Sequence, residues 1–165
     1  MASIASSSHL PALAEPHERA AVAHELEATL QELIDLSLVG KQLHWAVVGP
    51  LFRPLHLYLD ELVDSWRELA DTVAERAVAL GYVPNGQAQA VAAGSQLAPV
   101  AQSSLVDHAV VWEITHRIAM VSERARTGMD RLSDIDLVSQ DVLIAVVRKL
   151  EEQQWTVRAQ LDSRG

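Results

Sequence analysis

"KQLHWAVVGPLFRPLHLYLDE", residues Lys41 to Glu61, joins two helical patterns across an interruption made by Gly49, Pro50 and Pro54. Upstream, Leu26, Leu30, Leu33, Ile34, Leu36, Leu38 and Leu43 supply the apolar positions of a helix that starts at Pro16 and runs to about Trp45. Pro16 suits a first turn, where its missing N–H is not needed, and Gly40 weakens the helix slightly. The apolar positions are so dense that this helix is expected to be buried on more than one side. Downstream, Leu57, Leu59, Leu62, Val63, Leu69, Val73, Val78 and Leu80 alternate with acids on a helical period until Gly81. That predicts a second helix over about 54–80, folded back on the first at the break.

Residues Tyr82 to Pro99 hold Pro84, Asn85, Gly86 and Gly94 around "QAQAVAAG", a piece too short to be a bundle helix. They read as a long crossover carrying a short extra helix. Third and fourth helices follow over about 102–130 and 137–161, with Asp136 as N-cap of the last. No strand pattern and no internal repeat competes. The expected fold class is all-α: a four-helix bundle whose second and third helices are joined by a long crossover. Domain organisation follows as a mobile tail over 1–15, one bundle domain over 16–162 and a short end over 163–165.

The chain has 165 residues, 49% of them hydrophobic, enough to bury one core. Without cysteine it has no disulfide framework and no thiolate for metal binding or nucleophilic catalysis. This fits a reducing compartment, and the cytoplasm is the expected location. No run approaches the ~18 apolar residues that would cross a bilayer, so no membrane partner is expected. The formal net charge of −9 repels phosphate backbones and attracts cations.

Two histidines flank the break, and the second helix adds acids to them. With His56 as zero and about 100° per residue, Asp60 lies at about 40°, Asp71 at about 60° and Glu75 at about 100°. All share one face. Imidazole and carboxylate together suit iron, the carboxylates favouring the ferric state. One chain cannot close such a site, because His56 and Asp71 lie roughly 22 Å apart along a single helix. Two chains packing this helix antiparallel across a two-fold axis would place the histidine end of one opposite the carboxylate end of the other.

The stretch "GKQLHWAVVGPLFRPLHLYLDELVDSWRELADTVAERAVALG" resembles the ferroxidase segment of the Dps family, small ferritin-like proteins of starved or stressed bacteria. "DLVSQDVLIAVVRKLEEQQWTVRAQL" resembles that family's last helix, and the likeness spans about residues 26–161. The resemblance implies a ferritin-like bundle. It also implies a metal site in which His44 and His56 come from one subunit, an aspartate and a glutamate matching Asp71 and Glu75 come from its partner, and Asp60 bridges. It implies a hollow dodecamer, built from two-fold dimers, that oxidises ferrous iron with hydrogen peroxide in preference to oxygen and stores the ferric product. Consuming both reactants would protect DNA. Trp45, beside His44, takes a redox role by the same resemblance, and Asp134, Asp136 and Asp141 match acids that line an iron-entry pore.

DNA binding is where the sequence departs from better-known members, which carry basic tails. Before Lys41 the only basic side chain is Arg19, and the last ones are Arg158 and Arg164. Weak or absent DNA binding is expected for want of counterion release, with nucleoid association left open. The alternatives are a DNA-compacting cage and a structural cage without ferroxidase activity. Glu113 and His116 form a single Glu-x-x-His element where an intrasubunit di-iron site needs two, so they are expected not to bind metal as a pair. His17, His24 and His108 read as surface or interface residues.

Overall fold

The computed structural model describes residues 15–160. Five helices lie among them: α1 (Pro16–Ala46), α2 (Phe52–Ala79), α3 (Ala88–Gly94), α4 (Asp107–Leu132) and α5 (Leu137–Arg158). The expected tail falls outside the described residues except for Glu15, the N-cap of α1, whose N–H donates to Glu18 Oε2 at 3.1 Å. Residues 161–165 also lie outside. α1 packs chiefly on α2, α4 on α5, and α1 on α4, while α3 lies in the crossover against α1.

The core joins Leu26, Leu33, Leu36 and Leu43 of α1 to Leu59, Leu62 and Trp66 of α2, Ile114 and Ile118 of α4, and Leu143 and Leu150 of α5. Trp66 has no exposed surface, and its indole N–H donates to Gln153 Oε1 at 2.9 Å. The amide of Gln153 in turn donates to Ser65 Oγ at 3.0 Å, so the indole N–H and the Gln153 amide are both paired. Trp66 lies against Gly40, where a Cβ would fall 2.7 Å from both the Trp66 ring and Val63. Gly40 therefore permits the close approach of α1 and α2 rather than merely weakening a helix.

Between α1 and α4, Arg124 pairs with Glu32 and Arg131 with Glu25. The arginines are seven residues apart, as are the glutamates, and the pairing order makes the two helices antiparallel. Glu32 is 2% exposed and accepts a further bond from the Gln96 N–H at 2.9 Å, which ties the crossover to α1.

Three boundaries depart from expectation. α2 begins at Phe52 rather than 54, because Pro54 sits at the third position, where a missing N–H loses no intrahelical bond. α4 begins at Asp107 rather than about 102, because Leu105–Val106 (β2) extend to pair in parallel with Val47–Val48 (β1). That two-residue pair is the strand content of the described residues, and the fold class stays all-α. α5 ends at Arg158, with Ala159 and Gln160 in a turn.

Candidate metal centre

The break between α1 and α2 crosses the two histidines over each other. His44 Nδ1 lies 2.7 Å from the carbonyl oxygen of His56, and His56 Nδ1 lies 3.0 Å from the carbonyl oxygen of His44. A carbonyl only accepts, so each Nδ1 carries the proton, and on each neutral ring Nε2 is left with the lone pair. This is how proteins fix the tautomer of a metal-ligating histidine. The rings stack at 3.5 Å between centroids, 22° from parallel, and Phe52 packs on His56 at 5.0 Å. His44 is buried and His56 half-buried.

Asp60, one turn along α2 from His56, lies beside the pair. Its Oδ1 lies 3.3 Å from His44 Nδ1 and 2.5 Å from Lys41 Nζ. The Lys41 ammonium bonded to it holds this carboxyl below its ordinary range. Lys41 also stands 5.9 Å over the Trp45 ring, and Trp45 is 69% exposed.

Asp71 and Glu75 stand apart from this group. Both are exposed and one turn from each other on α2, which runs unbroken from Phe52 to Ala79, so the separation of roughly 22 Å from His56 stands. Among the described residues, no group of three or more His, Asp or Glu side chains converges as a metal site. The single chain brings His44, His56 and Asp60 together and leaves Asp71 and Glu75 at the other end of the helix. A groove lined by Ile34, Leu38, Ala70, Ala74 and Pro84 runs beside Asp71. It leaves Leu38 57% exposed.

Of the three pore candidates, Asp136 caps α5, accepting from the N–H groups of Val138 and Ser139 at 3.3 and 3.2 Å, and pairs with Arg76 at 2.7 Å. Burial by itself raises this carboxyl, but bonds from Ser139 and Arg76 outweigh it and hold the group below its ordinary value. Asp134 and Asp141 are exposed. Glu113 is paired with Arg117, and the His116 ring stacks on Trp112 at 5.4 Å. His17, His24 and His108 are exposed.

Two residues near the centre carry no obvious mark in the sequence. Lys41 reaches Asp60 from nineteen residues away, its only local signal being a place one turn before His44 and Trp45. Asp107, 3% exposed, accepts the Leu51 N–H at 3.0 Å from the start of α4.

Comparison with known proteins places the whole fold in a family. A model of the ferritin-like domain matches residues 23–164. The DNA protection during starvation protein of Mycolicibacterium smegmatis is 38% identical over 146 residues, covering 87% of this chain and 79% of that one. The fine tangled pili major subunit of Haemophilus ducreyi is 36% identical over 146 residues, covering 86% and 75%. The structure of Dps from Microbacterium arborescens in its high iron form superposes with a TM-score of 0.85 at 31% identity, covering 92% of this chain and 99% of that one. No helix among the described residues is long and apolar enough to cross a membrane.

Proposed function

This chain belongs to the Dps family of ferritin-like proteins, and from that premise we propose that it is the subunit of a ferroxidase and iron-storage cage. The observation that carries the reading is the crossed pair of histidines, each with Nδ1 engaged by a backbone carbonyl and Nε2 left as a ligand atom, beside the carboxylate of Asp60. His44, His56 and Asp60 hold ferrous iron from one subunit, and Asp71 and Glu75 of a partner complete the coordination. The partner docks on the apolar groove beside Asp71, which Leu38 and Ala74 line and which a second copy would cover. The high iron form named for the Microbacterium arborescens relative supports iron as the substrate.

In the reaction, two ferrous ions give one electron each to hydrogen peroxide, whose O–O bond breaks and which leaves, with two protons, as two waters. Oxygen is the slower alternative oxidant. Carboxylates stabilise the ferric product, and exposed Trp45 takes up stray oxidising equivalents. The product is stored inside a hollow assembly, a dodecamer of two-fold dimers working in the cytoplasm. Of the acids at the junction of α4 and α5, exposed Asp134 and Asp141 serve iron entry, whereas Asp136 is committed to its cap and to Arg76.

The test is to add ferrous iron to the apoprotein and follow ferric absorbance with hydrogen peroxide and, separately, with oxygen. Peroxide-driven oxidation is expected to be the faster. In Asp71→Ala/Glu75→Ala it should slow by at least roughly 100-fold, the upper end of what losing even an outer support does to a metal site. Equal rates in variant and parent would leave the likeness to ferroxidases purely architectural.

A further inference from the structure

Three consecutive residues, Leu105, Val106 and Asp107, grip both sides of the break that carries the histidines. Leu105 and Val106 pair with Val47 and Val48, directly after the end of α1. Asp107 Oδ2 accepts the N–H of Leu51, the residue before α2 begins, while its Oδ1 accepts the His108 N–H at 2.8 Å. The first turn of α2 is built on that anchor: the Leu55 N–H donates to Leu51 O at 3.1 Å, and the Phe52 N–H to Gly49 O at 3.0 Å. Gly49 has φ +121°, and a Cβ there would fall 3.0 Å from Asp107 Oδ2, so the carboxylate is seated against the turn itself.

The two imidazoles are oriented by each other's backbone carbonyls, one on α1 and one on α2. Their orientation therefore depends on how the two helices are joined. The geometry assigns Asp107 as a positioning residue for the metal half-site: it fixes the start of α2, and through it the carbonyl and ring of His56 against those of His44. This inference rests on the ferroxidase reading above. Asp107 supports the ligands through backbone and touches no substrate.

The test uses cobalt(II) as a spectroscopic probe of the full-length apoprotein. Asp107→Asn keeps the shape, but an amide accepts on one oxygen only and sets its NH2 against one of the two N–H donors. Its cobalt affinity should fall roughly tenfold or more, with an altered visible band, while the far-ultraviolet helix signal stays that of the parent. Gly49→Ala, which presses on the same carboxylate from the other side, should move affinity and band in the same direction. Parent-like cobalt affinity and band in both variants would overturn the assignment, and so would a loss that only tracks a loss of helix. A parent protein that shows no imidazole-type cobalt band would overturn the ferroxidase reading and this inference with it.

Discussion

Asp60 and Asp136 are both held below the ordinary carboxylate range, by different neighbours and with different consequences. Asp60 answers to the Lys41 ammonium bonded to it and is partly exposed, whereas Asp136 is held by Ser139 and Arg76 and is largely buried. Because the folded-state pKa of Asp136 is lowered, its stabilisation is complete above the unfolded value of about 3.9 and is lost as pH falls through the lower folded value. Asp136→Asn keeps a good N-cap, so its effect reports the pair with Arg76: roughly 2 kcal/mol at neutral pH, shrinking toward zero in acid. The gap between the two proteins in thermal melts should narrow as pH falls from 7 to 2.5, and parallel curves would contradict the pairing. At this scale the sequence is uneven. That His44, His56 and Asp60 meet at the break was legible from their spacing and from the family motif around them. Lys41 and Asp107 were not, because their partners lie nineteen and fifty-six residues away and no local period encodes a contact at that distance.

The long helices were legible because their apolar residues recur at helical spacing over many turns, and the crossover with its short helix because Pro and Gly punctuate it. The pairing of β1 with β2 was not, since two residues form no pattern and their pairing depends on tertiary contact. Gly40 shows the same limit in energetic form. By helix propensity alone, Gly40→Ala would stabilise α1 by about 1 kcal/mol. With the Trp66 ring and Val63 each 2.7 Å from the added methyl, and Trp66 anchored by Gln153, overpacking wins. The net expectation is destabilisation by roughly 1–2 kcal/mol, read from urea unfolding midpoints. A midpoint equal to or above that of the parent would mean that α1 and α2 can separate cheaply.

At the scale of the whole molecule, assembly changes what the chain can do. One copy holds the histidines and Asp60 at one end of α2 and exposes Asp71 and Glu75 at the other, so the proposed ferroxidase site requires a neighbour. Each added copy also brings nine formal negative charges, which repel the phosphate backbone of DNA. Linear duplex DNA at physiological salt should therefore show no mobility shift with the assembled protein, and a strong salt-sensitive shift would contradict this. The shared site itself is best tested by complementation. A His44→Ala/His56→Ala chain and an Asp71→Ala/Glu75→Ala chain, each inactive alone, are co-assembled in equal amounts, and peroxide-driven ferrous oxidation is measured. If the site is built from two chains, every mixed two-fold pair regains one intact site, and activity should return to about a quarter of the parent's. If all ligands come from one chain, no combination restores a site, and a mixture as inactive as its components would contradict the account.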